Sequence, residues 1–351
     1  MEITLCGASS FAYYRIPPQV LGLYPALYEQ PDDPGLHKFA QQPLMADALG
    51  IPIHRLVTER NHRSSGKYFK SHLMLREPPP GSFRQTEHGF DVTSPELTLL
   101  NLATSRSRIR LLMAAYELCG SFAVFHPQKR TAEQLAEAER LNLIPPGTGW
   151  ERVNDTTGSS SNLWKRPPLL TPEAIRTYAV HAQGLRGVKA LRWTADHVSG
   201  TTASPFEVEA SMLLSLPRRL GGLGLSIRNN VRIPLNETAQ SIYDKSCCYA
   251  DILLESQTDS LGVVFECQGR SIHDSEAASI SDSNRTTALE AMGYDVILVT
   301  HGQLRQERGF AALTKLLYKK MGLPYRVKTA TELEAEQALR RELFIDWNTL
   351  V

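Results

Sequence analysis

The stretch that decides the fold runs from Tyr249 to Thr300: YADILLE at 249–255, LGVVFECQG at 261–269, SDSNRTTALEAMG at 281–293 and YDVILVT at 294–300. Two apolar runs of strand length each carry one acid, Asp251 and Glu266. The short polar gap between them predicts a hairpin-like pairing of the two strands. A helical segment with Asp282 and Arg285 follows, and Gly293 separates it from a third apolar strand. If Asp251 and Glu266 converge, they repel: two unit charges about 4 Å apart cost about 4 kcal/mol at an effective dielectric of about 20. A fold keeps such a pair only with a cation, a proton or an arginine between the acids. Carboxylate oxygens, a backbone carbonyl and water are the donors that Mg2+ prefers. The plainer alternative is two unrelated surface acids. Against it, Glu266 lies inside an apolar run, where an unpaired charge is expensive to bury.

These residues and their neighbours resemble the PD-(D/E)XK nuclease superfamily, most closely the small bacterial endonuclease-like domains related to very-short-patch-repair enzymes. The matching positions are Glu207, Asp251, Glu266-Cys267-Gln268-Gly269, His273, Asp282 and Arg285, then Gly293 and YDVILVT. The resemblance implies an α/β fold: a restriction-endonuclease-like core with a mixed central sheet flanked by helices, preceded by an α/β and helical N-terminal region. It also implies Mg2+, with Mn2+ as a substitute. Asp251 and Glu266 would hold the ion, the Cys267 carbonyl would be a third ligand, and Glu207 would help directly or through water.

Gln268 departs from the pattern, standing where the superfamily often has Lys and these relatives often have Asp. A neutral amide can orient the attacking water but brings no charge. His273 is a general acid, a phosphate contact or simply a solvated loop residue. Asp282 and Arg285 share a helix face. They form either an ordinary surface ion pair or a site where Arg285 grips a phosphate with its planar fork. Lys245 and Arg270 flank the acids and suit backbone contacts to nucleic acid. Glu207 has a second reading, because SPFE at 204–207 is also a capping box. Glu209 is then the substitute helical acid.

More loosely, the whole chain resembles bacterial abortive-infection antitoxin-like proteins through VTSPELTLLNLA (92–103), ELCGSF (117–122) and ASPFEVEASMLLSLPRRLGGLGL (203–225). That implies a defence or toxin–antitoxin setting with a partner protein. The function expected is a metal-dependent nuclease hydrolysing phosphodiester bonds, with DNA favoured over RNA by family analogy. The alternative is a nuclease-fold protein without turnover, acting as a nucleic-acid-binding or antitoxin-like regulator.

The chain has 351 residues, enough for two or three domains, and a net charge of +1. No global basic field advertises nucleic acid, so any such site is a local patch. One is suggested at 59–76, where Arg60, Arg63, Lys67, Lys70 and Arg76 surround Tyr68 and Phe69. A solvated loop and strand edge is the alternative. No apolar run reaches membrane-spanning length and no secretory signal is visible. Five cysteines without a CxxC suggest reduced structural thiols in a cytoplasm.

Proline and glycine punctuation divides the chain into an N-terminal region (1–145), a linker or mobile loop (146–170), a helical connector (171–203), the nuclease-like domain (204–325) and a terminal helix (326–351). Ser94-Pro95, Thr171-Pro172 and Ser204-Pro205 each predict a capped helix start. The amphipathic stretch 310–322 either packs on the sheet or joins two copies in a homodimer.

Overall fold

The computed structural model describes residues 3–24, 35–143, 149–154, 160–269 and 276–351. They form a mixed α/β structure in two units. The first comprises Met1–Arg152, Asn162–Asp196 and Asn348–Val351; the second comprises Val153–Ser161 and His197–Trp347.

In the first unit, β1 (Thr4–Leu5), β2 (Ile53–Val57), β3 (Phe69–Leu73), β4 (Phe83–Gln85) and β5 (Asp91–Thr93) form one sheet in the order β3-β2-β1-β5-β4. The β1/β5 and β2/β3 pairs are parallel; β1/β2 and β4/β5 are antiparallel. The helix Pro95–Leu102 starts as its sequence dictates, with Ser94 Oγ accepting the Leu97 N–H at 3.3 Å and Pro95 in the first turn. Leu97, Leu99, Leu100 and Leu102 are all buried. The helix Arg108–Cys119 ends at Gly120 and carries one buried charge, Glu117, which Arg15 Nε meets at 2.7 Å. Pairing is what makes a buried charge tolerable.

The described residues of the stretch 146–170 hold more regular structure than its Pro, Gly and Ser content predicts. It holds two strands, β7 (Glu151–Asn154) and β8 (Ser160–Lys165), and β8 runs antiparallel to β6 (Phe122–Val124), with Ala123 opposite Trp164. Trp164 is the reason: its indole is buried, and the Arg152 guanidinium lies 5.6 Å from the ring centre. One aromatic anchor outweighs the turn-forming residues around it. The helices Pro172–His181 and Val188–Ala195, a separate connector by sequence pattern, belong to the first unit.

The second unit is built on a four-stranded mixed sheet. Its strands are β9 (Ile227–Pro234), β10 (Cys247–Leu254), β11 (Val263–Gln268) and β12 (Asp295–Thr300), in the order β12-β11-β10-β9. β9/β10 and β10/β11 are antiparallel, while β11/β12 is parallel, so the chain crosses over through the helix Glu276–Ala291. Ile233, Ala250, Leu253 and Val264 of the sheet pack with Ala288 and Leu289 of that helix. The helix Pro205–Ser215 is buried from Phe206 to Leu214. A short helix, Glu237–Ile242, capped by Asn236 Oδ1, was not expected between β9 and β10.

The hairpin turn depends on Gly262, whose φ is +149° and where an added Cβ would lie 2.9 Å from Leu254 O. Gly262→Ala is expected to destabilise the protein by about 1–3 kcal/mol, read as a lower urea midpoint at unchanged m-value. Among the described residues no helix is long and apolar enough to cross a membrane, and all five cysteines are free thiols.

Candidate functional site

The antiparallel register of β10 and β11 pairs Ile252 with Phe265 and Leu253 with Val264. Continued by one residue, it sets Asp251 against Glu266 on the sheet face that carries Leu253 and Val264. The two side chains therefore come together and line one cavity. Asp251 Oδ2 also accepts the Cys267 N–H at 2.8 Å.

The ladder to β9 is interrupted at the same point. It steps from Ala250–Val231 to Ile252–Asn229, and Asn230, opposite Asp251, has a φ of +50°. Asn is the non-glycine residue that tolerates this region best. Asn229 Nδ2 donates to Ser211 Oγ at 2.6 Å and to Asp251 O at 3.4 Å, tying the strand to the helix Pro205–Ser215.

Glu207 joins the two acids from that helix. Ser204 Oγ caps the helix by accepting the Glu207 N–H at 3.2 Å. The Glu207 carboxylate does not close the expected capping box on the Ser204 N–H. Its Oε2 accepts the Ala203 N–H at 2.7 Å, and its Oε1 accepts the Ser204 hydroxyl at 2.9 Å. Capping and site roles are thus both met by one carboxyl, because Glu207, Asp251 and Glu266 line a common cavity of about 290 Å3 with Cys267, Gln268 and Arg285.

Burial in this cavity is the largest influence on all three acids. It pushes Glu207 up to about 8, with the Asp251 charge adding to the effect. Glu266 is likewise pushed up to about 8 by burial and then by Asp251, against the pull of Arg285. Asp251 is raised as well, chiefly by burial. The Cys267 thiol is held protonated by burial among these acids.

One guanidinium faces the three carboxyls. Arg285 Nη2 lies 2.8 Å from Glu266 Oε2 and 2.9 Å from Oε1, and also donates to the Tyr249 carbonyl. The helical arginine therefore turns to the sheet acids. Lys245 lines an adjoining cleft of about 640 Å3 with Tyr249, Asp251 and Arg285, its ammonium 5.0 Å from the Tyr243 ring centre. Gln268, at the end of β11, lines both the acidic cavity and a larger cleft of about 680 Å3. Arg270 and His273 lie outside the described residues.

Glu209 is not part of the acidic cluster. It is buried, with Oε2 3.3 Å from His301 Nε2 and Oε1 accepting the Trp347 indole N–H at 3.4 Å. It points elsewhere because it is two residues from Glu207, about 200° around the helix. His301 lines the larger cleft beside Gln268 and Thr300, a placement that was not foreseen. The available signal was its position directly after the last strand, whose Thr300 pairs with Gln268.

Among the described residues, no three His, Cys, Asp or Glu side chains are grouped as a metal cluster. The oxygen donors present are the Asp251 and Glu266 carboxylates, the Cys267 carbonyl and the nearby Glu207. Compared with models of known families, with curated proteins and with solved structures, the chain matches none.

Proposed function

We propose that the second unit is a metal-dependent nuclease of the PD-(D/E)XK type that hydrolyses phosphodiester bonds, with DNA favoured over RNA. One observation carries the reading: the buried carboxyls of Glu207 and Glu266 and the half-buried one of Asp251 share one cavity with a single arginine. Ionised, that group has a net charge of −2, counting Glu207, Asp251 and Glu266 against Arg285. A buried excess of this size calls for a cation or for protons.

The donor set fits Mg2+, with Mn2+ as a substitute, since it consists of hard oxygens. Asp251, Glu266 and the Cys267 carbonyl would hold the ion, with Glu207 behind them. When bound, it would supply charge for the phosphate oxygens and lower the pKa of water. The Gln268 amide would orient the attacking water. Arg285, with five N–H donors, would hold a phosphate oxygen while still paired to Glu266. A Glu207 carboxyl that titrates near neutral pH suits uptake of a proton. Lys245 would meet the flanking backbone. The sequence resemblance supports a bacterial setting and a partner protein in a defence or toxin–antitoxin pair; the five free thiols suit a cytoplasm, and the amphipathic stretch 310–322 would serve a homodimer.

A second reading has its own observation. Arg285 already engages Glu266 in a close pair, which is how a nuclease fold without turnover would neutralise its acids. That protein would bind nucleic acid or a partner without cutting.

The test incubates plasmid, single-stranded DNA and RNA with Mg2+ or Mn2+. Wild type is compared with Asp251→Asn and Glu266→Gln. Cutting lost in both variants supports the nuclease; no cutting by wild type under any condition selects the binder. Gln268→Ala is expected to slow cleavage about tenfold, at the low end for a group positioning a reactant. An unchanged rate would remove Gln268 from the mechanism.

A further inference from the structure

The first unit carries a groove that the acidic site does not involve. β3 is one of the two edge strands of its sheet. On it, Phe69 and Ser71 are buried, while Lys70 and His72 alternate with them and share the opposite face. Arg63 closes the short turn Arg60–His62, Arg76 follows β3, and Arg186 lies between the helices Pro172–His181 and Val188–Ala195. All five line a groove of about 580 Å3 with Asn101, and no carboxylate lines it.

Among the described residues, Arg63, Lys70 and Arg186 make no ion pair. Arg76 Nη1 donates to the Gly184 carbonyl at 2.8 Å, which fixes the guanidinium and leaves its charge unbalanced. Opposing them is the C-terminal end of the helix Pro95–Leu102, equivalent to about half a negative charge. Four full cations outweigh it.

The histidines register the resulting field. His72 Nε2 and His54 Nδ1 are 3.0 Å apart, with the rings stacked at 4.9 Å. Both are held below the ordinary histidine value. Burial is the main cause; the charges of His72, Lys70 and Arg106 then act on His54, and those of Lys70 and Arg63 on His72.

The aromatic residues of this stretch do not offer an open stacking platform. Phe69 is buried against Phe39, and the Lys67 ammonium covers the Tyr68 ring at 5.3 Å. What remains for a ligand is a row of cations with hydrogen-bond donors and no base-stacking surface. We propose that this groove binds the phosphate backbone of a nucleic acid strand, without sequence readout and independently of the acidic site.

The test uses the full chain in EDTA, so that no cleavage consumes the probe. Fluorescence polarisation follows labelled random-sequence single-stranded DNA, RNA and duplex DNA as salt rises from about 50 to about 200 mM. Four cations predict a log–log slope of about −3 for single strands and about −3.5 for duplex. Arg63→Glu and Lys70→Glu are each expected to weaken binding about tenfold at low salt and to flatten the slope by about one. Lys165→Glu, at an exposed position on β8, supplies the same charge change away from the groove and is expected to bind like wild type. Circular dichroism checks that each variant folds.

Absence of binding by wild type, full affinity in the groove variants, or an equal loss in Lys165→Glu would overturn the proposal. A protein that binds through the groove but never cuts refutes the nuclease alone. One that cuts, yet keeps full affinity after Arg63→Glu and Lys70→Glu, refutes the groove alone.

Discussion

Asp251→Asn is expected to lower Mg2+-supported cleavage about a thousandfold while raising the unfolding temperature of the metal-free protein near pH 8. The loss follows from removing one of two anionic oxygens that face each other across β10 and β11. Deleting one charge-stabilising group typically costs about a hundred- to a thousandfold. The gain in stability has the same origin. Asp251 is half-buried, desolvation disfavours its charged form, and it pushes Glu207 and Glu266 upward. Asparagine keeps the shape and still accepts the Cys267 N–H, but it does not repel.

Glu266→Gln is expected to lose cutting equally and to gain less stability, because it strips Arg285 of its close partner. Steady-state cleavage of a plasmid and a thermal melt in EDTA separate these outcomes. Cleavage by Asp251→Asn at the wild-type rate would end the nuclease reading. A fall in its unfolding temperature would end the account of the cluster as a repelling one.

The second large effect is on pH. Glu207 and Glu266 titrate near 8 in the folded chain, against an ordinary value of 4.5. Their folded values are raised, so the folded state binds more protons than the unfolded state between these limits. Stability from this source is fully present below about 4.5 and is lost as pH rises through about 8. Metal-free protein should therefore melt at progressively lower temperature from about pH 5 to about pH 9, a loss on the order of a few kcal/mol. Mg2+ should restore little at the acid end and much at the alkaline end, since only ionised carboxylates bind it. Asp251→Asn should flatten the profile. An unfolding temperature that rises across this window, or a Mg2+ effect independent of pH, would contradict the geometry.

Much of the second unit was readable in advance, for a physical reason. Its strands are short apolar runs with sharp polar ends, and each acid interrupts such a run. The mixed sheet and the approach of Asp251 to Glu266 follow from that pattern. The Ser-Pro and Thr-Pro helix starts were equally local, and each forms with its cap bond.

What escaped depended on tertiary contacts. Trp164 orders β8 in a stretch whose composition reads as linker, because one buried indole counts for more than several turn formers. Glu209 and Glu207 look interchangeable in sequence, but helix geometry sends one to His301 and the other to the acids. Phe69 looked available for stacking and is instead part of the core.

Glu207 ties the beginning of a buried helix to the charge state of its neighbours. Whatever changes the protonation or loading of Asp251 and Glu266 also changes how firmly Glu207 holds the amide of Ala203. The first turn of Pro205–Ser215 should thus behave as a built-in reporter. Hydrogen exchange at Ala203 ought to slow when the acids are neutralised, with no substrate present.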